Sequence, residues 1–255
     1  MLVLACACAK KKETEATGTA SGSAPPPQPP GSSAVATGSG TGAEAAAMIQ
    51  VTDGLATPES VLYDAAGDGY LISNINGEPL GADDNGYISK VAHDGKVSDA
   101  KWIDGAKPDT KLDAPKGLAI VDGVLWVADI TVLRRFDVKT GAQQPDVKVA
   151  GAALLNDVTP DGTGGIFVSD TGVDAKFASV GKDAIYHVTK GGKVTKLIAG
   201  KELGGPNGLA MAADGSLWVV TFGSGEIYQV DAKGKKQAAE KLPKGQLDGG
   251  RTRGR

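Results

Sequence analysis

Glu59, Lys116, Asn156, Asn207 and Asp248 each open a similar short phrase of sequence. Four of the five end in a carboxylate or an amide, and none is His or Cys. Oxygen donors of this kind, without imidazole or thiolate, select a hard divalent cation such as calcium, magnesium or manganese. Two carboxylates brought together without a cation repel, and one is forced to take up a proton. A divalent ion removes that penalty. The bland reading is that Asn207-Gly208 and Asp248-Gly249 are turn formers. Against it stands the recurrence of a polar residue at one place in a repeat, a place any small residue could fill.

The phrase itself says what must position these residues. Its clearest copy is Pro206-Asn207-Gly208-Leu209-Ala210-Met211, then Asp214-Gly215, then Leu217-Trp218-Val219-Val220. Asp-Gly allows positive φ and suits a tight turn between antiparallel strands. Further copies begin at Pro115-Lys116-Gly117, at Leu155-Asn156-Asp157 and, more loosely, at Pro58-Glu59-Ser60; an unfinished one is Gln246-Leu247-Asp248-Gly249. The polar markers lie about 40 to 57 residues apart, and repeats of this length holding some four short strands are the signature of a β-propeller. No stretch carries a sustained apolar stripe at helical spacing. The fold class is therefore all-β, a propeller of which about four blades are present. The innermost strands of a propeller line a central tunnel, so the five markers would meet around one mouth of it.

Other residues carry less. Asn74, Asp129 and Asp170 end the second strands of their units, either as loop formers or as pocket lining. His93 falls in a turn and His187 on an outer strand, neither near a nucleophile elbow, so a triad hydrolase is unsupported. Trp102, Trp126 and Trp218 are expected to pack between blades, the last two at the same repeat position. There is no Gly-rich phosphate loop.

Composition narrows the function classes. The net charge of −3 gives no basic face for nucleic acid. Glycine, at 37 of 255 residues, fits a turn-rich β chain. The two cysteines, Cys6 and Cys8, lie at the extreme N-terminus, which excludes a disulfide framework or thiolate-held metal in the body. Residues 1–12 resemble the end of a bacterial lipoprotein signal, with Cys6 the residue to be lipidated after Val3-Leu4-Ala5; the alternative is a meaningless apolar end. Residues 13–47 are mostly Ala, Gly, Ser, Thr and Pro without an aromatic, the composition of a disordered tether. Residues 48–255 then hold the incomplete propeller. Residues 250–255, Gly-Arg-Thr-Arg-Gly-Arg, follow Asp248-Gly249 where an apolar strand should begin. The expectation is a chain cut short; the alternative is a basic tail on a four-bladed ring.

Taken as a set, Pro58-Glu59-Ser60, Asn156-Asp157, Pro206-Asn207-Gly208-Leu209 and Leu247-Asp248-Gly249 resemble the regucalcin/gluconolactonase family of six-bladed propellers, over about residues 52 to 249. The resemblance implies that Glu59, Asn207 and Asp248 ligate one divalent cation, whether calcium, magnesium, manganese or zinc. It implies that Asn156 sits beside it and contacts substrate or metal-bound water, that Asp157 contacts substrate, and that Asp248 doubles as general base. Lys116 departs from an all-oxygen ring; it either turns to solvent or pairs with an anionic substrate. Two functions stand open. One is a metal-dependent hydrolase of a small lactone, such as a sugar lactone, monomeric and held at the cell envelope (periplasm or outer membrane) by a lipid anchor. The other is a non-catalytic NHL-like propeller that binds a small ligand or protein partner.

Overall fold

A computed structural model of the chain describes residues 51, 53–242 and 247–249. The expectations for residues 1–12, for the tether at 13–47 and for Cys6 lie outside the described residues. Within them the chain is all β apart from a single 3-10 turn, Lys201–Leu203.

Sixteen strands form four sheets of four, each antiparallel and each in sequence order. The first blade is β1 (Pro58–Asp64), β2 (Gly69–Asn74), β3 (Tyr87–Ala92) and β4 (Val97–Asp104). The second is β5 (Pro115–Val121), β6 (Val124–Asp129), β7 (Val132–Asp137) and β8 (Gln143–Lys148). The third is β9 (Leu155–Pro160), β10 (Ile166–Asp170), β11 (Ala184–Val188) and β12 (Val194–Ala199). The fourth is β13 (Pro206–Met211), β14 (Leu217–Thr221), β15 (Glu226–Val230) and β16 (Glu240–Lys241). The innermost strands pack in series, β1 on β5, β5 on β9 and β9 on β13. This is the propeller arrangement that the repeat predicts.

Three apolar layers hold the blades face to face. Leu71, Ile88 and Ile103 of the first blade meet Leu118, Leu125, Val127 and Phe136 of the second. The other face of the second blade, with Ala119, Trp126 and Leu133, meets Leu155, Val158, Ile166 and Val168 of the third. Ile185 of the third meets Leu209, Leu217, Val219 and Tyr228 of the fourth. Alternation along the strands of the second and third blades thus feeds two layers at once, as a sheet buried on both faces requires.

One expectation is corrected here. Trp126 is buried between blades, but Trp218, at the same repeat position, is 38% exposed. Position in the repeat places both rings on the same face of their sheets. Only the second blade has a described neighbour on that face. Val61 and Tyr63 are likewise exposed on the first blade.

Candidate functional site at the starts of the inner strands

Each inner strand carries its polar marker as its second residue: Glu59 in β1, Lys116 in β5, Asn156 in β9 and Asn207 in β13. The pairing with the second strand slips by one residue at that point in every blade. Pro58 faces Asn74 while Val61 faces Ile72; Pro115 faces Asp129 while Leu118 faces Val127. Leu155 faces Asp170 while Val158 faces Val168; Pro206 faces Thr221 while Leu209 faces Val219. Three steps on the inner strand match two on its partner, which is a β-bulge. A bulge leaves a residue outside the ladder and re-aims its side chain. The repeated polar position is therefore a repeated backbone device, and that explains why the residue type varies while the place does not.

The bulges are braced from the second strand. The Ser60 amide donates to Ser73 Oγ at 2.9 Å, and the Asp157 amide donates to Ser169 Oγ at 2.9 Å. Ser169 Oγ also reaches the Asn207 carbonyl at 2.5 Å, joining the third blade to the fourth. Both serines are fully buried. Sequence reasoning passed over them, although the recurring pairs Ser73-Asn74 and Ser169-Asp170 were a signal. Asn74, Asp129 and Asp170 prove to be braces also. Asn74 Oδ1 accepts from the Ala56 amide, Asp129 from those of Asp113 and Ala114, and Asp170 from those of Ala153 and Leu154. Each thus holds the segment entering its inner strand.

The side chains at the mouth differ in their partners. Asp157 is buried; its Oδ1 accepts from the Val158 amide at 2.9 Å and its Oδ2 from the Leu209 amide at 2.8 Å. It thus ties β9 to the bulge that presents Asn207. Gly117 permits this closeness on the other side, since a Cβ there would stand 2.6 Å from Asp157 Cα. Asn207 is buried, and its Oδ1 has no hydrogen-bond partner among the described residues. An amide oxygen left so costs free energy until something binds it. Asn156 is buried beside Asp157.

Lys116 does not turn to solvent. Its side chain is buried, and Nζ donates to the Pro79 carbonyl at 2.7 Å and to the Ala114 carbonyl at 2.9 Å. Burial lowers its pKa, against the pull of Glu59 and Asp129. Glu59 is held well above the ordinary carboxylate range, by burial first and by Asp248 next, with Lys116 opposing and Asp157 adding. Glu59 is only half-buried by exposed surface yet is crowded by protein on all sides. A side chain on the inner wall of a curved array has both properties, and the crowding governs its charge. Burial likewise raises Asp248, against a hydrogen bond from the Gly249 amide. The Leu247 amide donates to the Thr221 carbonyl at 3.3 Å, much as the Leu155 amide donates to that of Ile130 at 2.7 Å. Asp248 therefore follows an anchor like the one that precedes Asn156.

The structure thus gathers Glu59, Lys116, Asp157 and Asp248 within electrostatic reach, with Asn207 joined to Asp157 through the Leu209 amide. Among the described residues no three His, Cys, Asp or Glu side chains form a ready metal cluster. The donor set that fits a cation is two carboxylates and one amide oxygen. An open recess lined by Thr131, Val132 and Lys148–Ala152 offers no carboxylate or amide side chain, and the chemistry belongs at the inner-strand starts.

Comparison with solved structures supports the fold. A gluconolactonase from Xanthomonas campestris matches with a TM-score of 0.57 at 19% identity, over 78% of this chain and 68% of that one. A second protein assigned as a gluconolactonase matches with a TM-score of 0.55 at 19% identity, over 78% and 69%. A chain of the nidogen/laminin complex matches with a TM-score of 0.61 at 15% identity, over 77% and 69%. No family model matches the chain, and no curated protein does.

Proposed function

We propose that the mouth formed by the inner-strand starts is the active site of a divalent-cation-dependent lactone hydrolase. The observation that carries this reading is Asn207 Oδ1, buried and unpaired among the described residues, at the same bulge position as Glu59. Asp248 raises the cost of charging Glu59, and an oxygen-liganded cation would offset it while giving Asn207 Oδ1 a partner. Such a cation, held by Glu59, Asn207 and Asp248, supplies polarisation of the lactone carbonyl and stabilisation of the oxyanion.

The chain's own groups do the rest. Asp248, a base strengthened by burial, takes the proton from the attacking water as oxygen bonds to the carbonyl carbon. The carbon–oxygen bond of the ring then breaks, and the proton on Asp248 passes to the departing ring oxygen. The product is the hydroxy acid. Two ammonium protons of Lys116 are engaged by Pro79 and Ala114, which leaves the third for an oxygen of the substrate. Asn156 offers an amide on the same rim.

The test is hydrolysis of simple γ- and δ-lactones by the full chain, after chelation and then with added calcium, magnesium, manganese or zinc. We expect activity to return with one of them and Asp248→Asn to abolish it. A chain that hydrolyses no lactone with any of these ions would overturn the reading. A binding module is the second reading, and Lys116 favours it: a buried ammonium near Glu59 balances charge without a cation.

A further inference from the structure

The loop from β10 to β11 breaks a local rule. Its residues 172–180 form a small hairpin: Val173 bridges Ser179, and the Val180 amide donates to the Gly172 carbonyl at 2.8 Å. The Phe177 amide donates to the Asp174 carbonyl at 2.9 Å, closing the turn. The residue that leaves such a turn through the left-handed region is ordinarily Gly or Asn. Here it is Phe177, with φ 57°. Strain of this kind persists only where the surroundings impose it, and it concentrates at sites that hold ligands.

No core packing repays it. The Phe177 side chain is 47% exposed, its neighbour Val180 is 44% exposed, and the Phe177 ring lies against Phe222 with centroids 5.7 Å apart. Three tethers fasten the roots of this hairpin and Phe222 to the segment that leads into Asn207. Thr171 Oγ1 donates to the Pro206 carbonyl at 2.9 Å, the Gly205 amide to Asp183 Oδ2 at 2.7 Å, and the Phe222 amide to the Gly205 carbonyl at 2.9 Å. Both roots of the hairpin and the backbone of Phe222 are thus fastened to the two residues before Asn207.

We propose that Phe177, Val180 and Phe222 form a subsite for an apolar substituent, so that the substrate class is a lactone bearing an alkyl chain. This rests on the mouth being a lactone-hydrolysing site. Hydroxyl groups of a sugar lactone would lose water against these rings without gaining a partner, whereas each methylene gains by leaving water.

The experiment compares kcat/KM for unsubstituted γ-butyrolactone and its γ-hexyl derivative, using the full chain with its activating cation. The hexyl compound should be preferred by about tenfold. Phe177→Ala and Phe222→Leu should each bring the ratio toward one, with Phe177→Gly as a second variant suited to the left-handed backbone. Tyr63→Ala, on the outer face of the first blade, should keep the ratio. A wild-type ratio near or below one, or a ratio that survives both variants, overturns the subsite. So does concentration-dependent self-association that Phe177→Ala abolishes, because the rings would then cover a second copy. If no lactone is hydrolysed, the catalytic reading fails by itself. The subsite is then tested by ligand-observed NMR with the γ-hexyl lactam: chain-dependent binding lost in Phe177→Ala upholds it, and none in the wild type refutes it.

Discussion

At the scale of single residues, Glu59 carries the most exposed prediction. Its folded-state pKa lies above the unfolded value, with burial the first cause and Asp248 the second. Ionisation therefore costs more in the folded chain than in the unfolded one. Stability should be greatest below the ordinary carboxylate range and should fall as pH rises through the unfolded pKa toward the raised one. In chelator, the urea midpoint of the wild type should thus fall as pH rises above about 4, and Glu59→Gln should flatten that fall. A saturating cation should flatten it as well, adding about 2.7 kcal/mol at a hundred times its Kd. Equal pH slopes for wild type and Glu59→Gln would show that Glu59 is not strained by its charge.

At the scale of elements, the second blade is clamped by one guanidinium. Arg134 on β7 donates to Asp129 at 2.7 Å, to Asp113 at 2.8 Å and to Asp146 at 2.8 Å, so it joins β6, β8 and the segment entering β5. Asp129 is pushed up by burial and is held down by the amides of Asp113 and Ala114 and by Arg134. Removing the guanidinium leaves the buried Asp129 carboxylate without its counter-charge, beside the more exposed carboxylates of Asp113 and Asp146. Arg134→Met should cost about 3–5 kcal/mol, read as a lower urea midpoint with an unchanged slope. The blade layers make a second contrast. Trp126→Ala should cost about 3–5 kcal/mol, because its ring fills the layer between the second and third blades. Trp218→Ala should cost under about 1 kcal/mol, its ring being exposed. Comparable losses from the two would mean that Trp218 is covered in solution.

At the scale of the molecule, the propeller puts every inner-strand start at one end and lets loops of very different length rise from it. The loop 75–86 supplies the Pro79 carbonyl that holds Lys116, and the loop 171–183 carries Phe177. Loops at that end can vary without disturbing the layers, which is how one scaffold serves many chemistries. We also propose that the propeller is held at the cell envelope through a lipid on Cys6. In a bacterial host the chain expressed behind a complete lipoprotein leader should sediment with membranes, and Cys6→Ser should release it. Equal partitioning of the two forms would refute the anchor.

The fold was legible because a propeller is local: each blade's strands, Asp-Gly turns and alternation are written within one repeat, and four copies reinforce one another. The marker position was legible for the same reason, with Glu59, Lys116, Asn156 and Asn207 all at the starts of their inner strands. Its physical cause, a bulge in each blade, was not, since register depends on the partner strand and the buried serines that satisfy the freed amides. Three outcomes depended on neighbours distant in sequence. Lys116 is turned inward by a carbonyl 37 positions away, Asp157 is spent on an amide 52 positions away, and Asn207 keeps an oxygen without a partner among the described residues. Residue type and spacing determined which groups stand at the mouth. Only tertiary structure decided which of them are already satisfied, because a side chain's hydrogen bonds are settled by whatever other blades bring within reach.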